Sequence, residues 1–273
     1  MPLRLLIIFL LIYTGVALAG CGGSEKVSPE ISKEFLKVNG YGFTTKEFFR
    51  ALKSGEPAII NGFIDAGMDP NSKNDRGLTA LTFAILNDDL KTIKVVAKRA
   101  DINLKDERGN GPLHLAIARK NREAVDYLLQ AKADVNVTGK DGQATNQSPL
   151  YAALLADDME LFKKLLDKGA DPNIADSEGA FPLSEASIRN GADVETVRLL
   201  IEKGADVNKV ENNGASPLIY AAQNSGIDVE TRKAIIRLLL KNGADKSLKD
   251  KTGKTALDWA KETGHTEMVE ILK

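Results

Sequence analysis

Apolar positions along this chain fall into one phrase that keeps returning. The phrase is clearest at Pro112-Leu113-His114-Leu115-Ala116-Ile117-Ala118, continues through Glu123–Leu129, and closes on Ala133-Asp134-Val135-Asn136. Two short apolar stretches separated by a polar turn, then a polar Asp/Asn loop, predict a pair of helices followed by a hairpin-like connection. Ser148-Pro149-Leu150, Ser216-Pro217-Leu218 and Thr255-Ala256-Leu257 restate the opening. Gly169-Ala170-Asp171-Pro172-Asn173, Gly204-Ala205-Asp206-Val207-Asn208 and Gly243-Ala244-Asp245 restate the close. Recurrence at this period is the signature of a solenoid, in which each unit buries its apolar face against the next.

Counted from their Thr-Pro position, the units begin at Lys46, Thr79, Gly111, Ser148, Phe181, Ser216 and Thr255, at intervals of 32 to 39 residues. The phrase Thr/Ser-Pro-Leu-His-x-Ala-Ala, followed by Leu-Leu-x-x-Gly-Ala-Asp-x-Asn, resembles the ankyrin repeat, whose period is about 33. The resemblance implies an all-α solenoid of about seven helix-turn-helix units joined by β-hairpin-like loops, spanning residues 42–273 as one domain. It also implies a module that binds other proteins, without naming the partner.

Local chemistry agrees with that architecture. Thr44-Thr45-Lys46-Glu47 is spaced as a capping box at the start of the first helix. Pro112, Pro149, Pro182 and Pro217 stand where a first helical turn has no use for an amide. Ala116, Ala153, Ala186 and Ala221 follow at one offset, where a small side chain lets neighbouring helices approach. Gly67, Gly169, Gly204 and Gly243 take the left-handed position after each outer helix. Lys132 occupies that position in the third unit, and Arg99-Ala100-Asp101 lacks one residue in the second, so both should be locally strained. Residues Gly139–Gln147, Asn190–Asp193 and Asn224–Val229 are insertions, hence longer loops.

The N-terminus is of another kind. Apart from Arg4, residues 1–20 carry no charge, and the apolar run Leu5–Leu18 has the layout of a secretory signal peptide. Leu18-Ala19-Gly20-Cys21 resembles the bacterial lipobox, which implies acylation of Cys21 and a membrane anchor. Ala17-Leu18-Ala19 also fits an ordinary signal peptidase, which would leave a soluble protein with a lone thiol. Residues 21–41 read as the lipidated cysteine and a polar tether, with at most a short helical turn over Glu30–Val38. Gly22, in place of a retention aspartate, implies the outer membrane, with the repeats facing the periplasm of a bacterial envelope.

Composition removes most other classes. With Arg4 gone, 36 of the 37 basic side chains remain against 38 acidic ones, too balanced to suggest nucleic acid. One cysteine excludes internal disulfides and thiolate metal sites. His114 stands in the histidine place of the ankyrin phrase, where the resemblance implies a structural hydrogen bond, and His265 follows Gly264 in the last turn. Neither has a nucleophile or second ligand at motif spacing. Asp69-Pro70-Asn71-Ser72-Lys73 and Asp171-Pro172-Asn173-Ile174-Ala175 open like calcium loops but lack the later ligands. The expected protein is non-catalytic, without cofactor or metal, and monomeric. The lone Trp259 is expected to shield the end of the core.

The eighth residue of each unit reads Lys53, Leu86, Ala118, Leu155, Ile188, Gln223 and Glu262. In ankyrin arrays this place faces solvent on the concave side, so Leu86, Ala118, Leu155 and Ile188 are candidate partner-binding residues, widened by Phe83 and Leu115 one turn earlier. The expected rim is Asp75, Arg76, Glu107, Arg108, Lys140, Asp141 and Glu178. The competing expectation is that these apolar residues are buried by adjacent helices or by the lengthened turns. The functional alternatives are an inhibitor or immunity protein and a structural scaffold for an envelope enzyme.

Overall fold

The computed structural model describes residues 27–140, 146–189 and 191–273, and within them fifteen helices and one short hairpin. Contacts divide the chain after Asp134 into two compact units. One domain was expected over 42–273, but repeats touch only their neighbours, so no long-range contacts bind a stack into a single cluster.

The first unit holds α1 (Pro29–Val38) and three helix pairs: α2 (Thr45–Ser54) with α3 (Pro57–Asp65), α4 (Ala80–Leu86) with α5 (Leu90–Ala97), and α6 (Pro112–Ala118) with α7 (Arg122–Gln130). Inner helices α2, α4 and α6 form one row and outer helices α3, α5 and α7 another. The tether expected over residues 21–41 is corrected between 29 and 38. Ser28 caps α1 by accepting from the Ile31 amide, and Leu36 is fully buried as the helix packs on α3. Gly62 makes the approach possible, since a Cβ there would stand 3.1 Å from the Phe35 ring. The low overall hydrophobicity of α1 hid one buried stripe behind four charged residues. It covers the outer end of the stack, where Phe48 and Phe63 are also fully buried.

The second unit begins with β1 (Gly139–Lys140) paired to β2 (Asn146–Gln147), the edges of the expected insertion. Four pairs follow: α8 (Pro149–Leu155) with α9 (Met159–Asp167), α10 (Pro182–Ile188) with α11 (Val194–Glu202), α12 (Pro217–Gln223) with α13 (Val229–Lys241), and α14 (Ala256–Glu262) with α15 (Thr266–Leu272). Inner helices α8, α10, α12 and α14 pack in series. Each expected proline opens its helix, and Ala116, Ala153, Ala186 and Ala221 are all buried. The box at Thr44 is half formed. Thr44 accepts from the Glu47 amide at 3.3 Å, but Glu47 turns to Arg50, because the Thr44 amide is already engaged by the Gly42 carbonyl.

Between repeats, one bond recurs. An asparagine side chain in each closing turn accepts from the backbone amide of an aspartate in the next: Asn71 from Asp101 at 2.7 Å and Asn103 from Asp134 at 2.9 Å in the first unit. Asn136 accepts from Asp171, Asn173 from Asp206 and Asn208 from Asp245 in the second, at 2.8 to 2.9 Å. Asn173 and Asn208 also donate to the carbonyls of Gly204 and Gly243. In the turns of Asn71, Asn103, Asn173 and Asn208 the aspartate carboxylate accepts from the amide of its own repeat's asparagine, so the side chain that reaches across is held in place.

Lys132 is left-handed, with φ 62°, as its alignment with the glycines implies. Its amide reaches Leu129 O at 3.4 Å, against 3.1 Å for Gly169 to Leu166 O in the following unit. Repeat two ends differently: the amides of Arg99 and Ala100 both turn back to Val96 O. A side chain in left-handed conformation costs about 1–2 kcal/mol, and glycine's extra freedom in the unfolded chain returns part of that. Lys132→Gly is therefore expected to stabilise the protein by about 1 kcal/mol. A urea midpoint unchanged or lowered would show that Lys132 gains more from its surroundings than its backbone loses.

Candidate functional site

The inner helices carry the side chains that could meet a partner. In the first unit Ala118 is exposed, while Phe83, Leu86 and Leu115 are half-buried. Phe83 meets the Phe49 ring edge-on at 5.2 Å, so part of its surface belongs to the stack. Asp75, Arg76, Glu107 and Arg108 are exposed at the hairpin tips. Glu107 lies against Gly77, and its amide donates to Gly77 O at 3.0 Å. These rim residues thus also join neighbouring loops.

In the second unit the expected surface is sharper. Leu155 is 46% exposed and Ile188 36%, so neither is swallowed by adjacent helices or lengthened turns. Glu178 is exposed at its hairpin tip, Lys140 lies on β1, and Asp141 and Cys21 fall outside the described residues. Leu86, Ala118, Leu155 and Ile188 were expected as one stripe; they lie two in each unit.

Beside Leu155 and Ile188 stands a polar group that the eighth-residue column does not contain. The Tyr151 hydroxyl donates to Glu185 Oε2 at 3.5 Å, and the Tyr220 hydroxyl donates to Glu211 while accepting from Asn213 Nδ2 at 2.7 Å. Burial, together with the nearby carboxylates, holds both tyrosine hydroxyls far above their ordinary range, so they serve as fixed donors. Burial also raises Glu185, an effect only partly offset by the Arg189 guanidinium and the Tyr151 hydrogen bond. Arg189 is committed elsewhere, to Leu154 O and the Asp157 carboxylate, each at 2.8 Å. Among the described residues no cation lies within ion-pair distance of Glu185 or Glu211.

Glu185 and Tyr220 occupy the same fifth place of their units as Phe83 and Leu115, so continuing that column past the third repeat would have found them. Tyr151 stands in the histidine place. Its role could not be read from spacing, because it depends on which side chain the next inner helix puts opposite.

The two histidines are structural. His114 is buried in the first turn of α6. His265 Nδ1 lies 3.1 Å from Ala222 O and joins α15 to α12. Arg189 to Leu154 O and Asn224 to Ile188 O at 2.8 Å are bonds of the same kind, made in the lengthened turns. Trp259 is half-buried: its indole donates to Asp250 at 2.6 Å under the Lys254 ammonium, tying the last inner helix to its own loop. Among the described residues no group of three or more His, Cys, Asp or Glu side chains could hold a metal, and no helix is long and apolar enough to cross a membrane.

Comparison with known proteins follows the same geometry. The family model for ankyrin repeats (3 copies) matches residues 48–139 and 150–250. The chain is 32% identical over 228 residues to the ankyrin repeat protein YahD of Escherichia coli (strain K12), covering 83% of this chain and 94% of that one. It is 30% identical to an ankyrin repeat-containing protein of Treponema pallidum (strain Nichols), over 59% of this chain, and spans about half (53%) of that relative. A solved ankyrin repeat domain from Acinetobacter baumannii AYE aligns with TM-score 0.60 and 33% identity, over 70% of this chain and 95% of that one. The ankyrin repeat domain of Bcl-3 shares the fold alone, with TM-score 0.63 at 24% identity over 82% and 96% of the two chains. The repeated helix pairs and the matched residues together make this chain a member of the ankyrin repeat family.

Proposed function

We propose that the chain works as a membrane-tethered protein-interaction module, with the inner helices of its second unit as the principal contact surface. The supporting observation is the exposure of Leu155 and Ile188 at one offset on packed neighbouring helices. Apolar residues left in water side by side and rimmed by charge mark interaction surfaces. The leader motif ending at Cys21 adds the address: acylation there would hold the repeats at the surface of a bacterial envelope membrane, the periplasmic side of the outer membrane being the one favoured by Gly22.

Two experiments test this reading. The double variant L155S/I188S should lose about tenfold or more of a partner captured from detergent-solubilised envelope, since interface energy concentrates in a few apolar anchors. Its urea midpoint should stay within about 0.5 kcal/mol of the parent, as for exposed sites. Capture that survives in a folded variant would remove these residues from the interface. For the anchor, a palmitate analogue should label the wild type and not Cys21→Ser, and only the wild type should sediment with membranes. An unlabelled wild type in a host that processes lipoproteins would sink the tether.

Glu185 offers a third test, because a carboxylate held partly out of water lowers stability where it serves only binding. Its folded-state pKa is raised, so between the ordinary glutamate value of about 4.3 and the raised one the folded chain binds more protons than the unfolded. Stability is full below that window and falls as pH rises through it. Glu185→Gln, which keeps an acceptor for Tyr151, should raise the urea midpoint at pH 7, with the gap closing as pH falls below about 4. An equal or lower midpoint at pH 7 would show that Arg189 compensates the charge in full.

A further inference from the structure

The strongest unexplained arrangement lies on the inner face of the second unit and deepens the reading above, on which it rests. Glu185 and Ile188 are three residues apart on α10, and Tyr151 and Leu155 four apart on α8, so each pair shares a helix face. The Tyr151 hydroxyl reaches across to Glu185. On α12, Tyr220 fixes Glu211, which lines an open cleft of about 540 Å³ with Ser177, Glu178, Asn212, Asn213 and Lys251. The exposed apolar pair thus shares its helices with Glu185, which faces the Tyr151 hydroxyl at 3.5 Å, and Glu211, fixed by the Tyr220 hydroxyl, is near enough to act on both Tyr151 and Glu185. Of the nearby cations, Arg189 offsets part of the Glu185 burial but is held by Asp157 and Leu154, Lys254 is held by Glu262 and the Trp259 ring, Lys209 sits 5.6 Å from the Phe181 ring centre, and Lys251 lines the cleft with Glu211 without forming an ion pair to it.

The geometry points to a partner segment that carries a lysine or arginine beside an apolar residue, the apolar side chain resting on Leu155 and Ile188 and the cation meeting Glu185 and Glu211. Charge complementarity carries the choice of occupant. An acidic or purely apolar segment would leave Glu185 desolvated further without an opposite charge, which costs more than it returns. A cation on the partner supplies an opposite charge at ion-pair distance, which among the described residues neither carboxylate has. The Tyr220 donor pre-sets Glu211, so little ordering of that carboxylate remains to be done on binding.

The test pans a random-peptide phage library against the full-length chain immobilised in detergent, beside E185Q/E211Q and L155S/I188S. Glutamine keeps an acceptor for each tyrosine, and the urea midpoints of both variants are measured to confirm folding. The expected result is that wild-type binders are enriched in Lys or Arg next to Leu, Ile or Phe. Such a peptide, synthesised, should bind E185Q/E211Q about tenfold more weakly, and the loss should shrink as salt rises. L155S/I188S should not retain it. Wild-type binders without basic enrichment, or undiminished binding by E185Q/E211Q, overturn the cationic partner; the inner-face reading then stands only if L155S/I188S still loses binding. Binding indifferent to both variants, or no enrichment at all, overturns both.

Discussion

The asparagine that reaches into the next repeat is the bond on which the architecture depends. A stack of short helix pairs has no strand ladder to fix its register, and helices of seven residues hold little stability of their own. Apolar packing between neighbours is non-directional and would tolerate sliding. The bonds from Asn71, Asn103, Asn136, Asn173 and Asn208 to the amide of the following aspartate do not. Each joins an asparagine side chain, held by its own turn at Asn71, Asn103, Asn173 and Asn208, to a backbone group with one position, so it sets rise and rotation between neighbouring repeats at a single point. That explains why Asp and Asn persist in turns where any polar residue would satisfy solvent.

Once register is set in the turns, and the buried alanines set the spacing of the inner row, the solvent side of each inner helix is released from structural duty. The eighth place can then change with little effect on the fold, and the fifth is shared between the stack and the inner face. The second unit uses this freedom unevenly. Ala152 and Leu155 on α8 are apolar, Glu185 and Ile188 on α10 are mixed, and Tyr220 and Gln223 on α12 are polar-tipped. Such a gradient along packed helices is the form that specificity takes when the scaffold itself is repeated.

Legibility in the sequence followed the same division. Helix starts at the prolines, the small inner position and even the left-handed Lys132 were readable, because each is a backbone requirement that recurs every repeat and shows as a column. The helix α1 was not, since it occurs once and buries only Leu36 and Ser32 with part of Phe35 among charged neighbours. Half of the box at Thr44 failed for a related reason: Gly42 offers the competing carbonyl, and spacing alone does not show it. At the site, exposure of Leu155 and Ile188 was one of two open expectations, and only packing could decide between them. The Tyr151–Glu185 and Tyr220–Glu211 pairs join residues 34 and 9 apart, a relation that exists only after the repeats stack.

The two carboxylates also differ in how the fold treats them, and the difference bears on what each can do. Glu211 is met by a tyrosine that itself receives a bond from Asn213, so its donor is polarised and its charge is well supported. Glu185 receives a longer bond and shares its region with Glu211, whose charge opposes its ionisation. The Arg189 guanidinium offsets part of the Glu185 burial but is hydrogen-bonded to Asp157 and Leu154 O. A carboxylate whose burial is only partly offset lowers stability at a packed helix surface, and glutamine or an apolar residue there would relieve that cost. A positive charge brought to the inner face from outside the repeat stack would relieve the same cost while keeping the carboxylate.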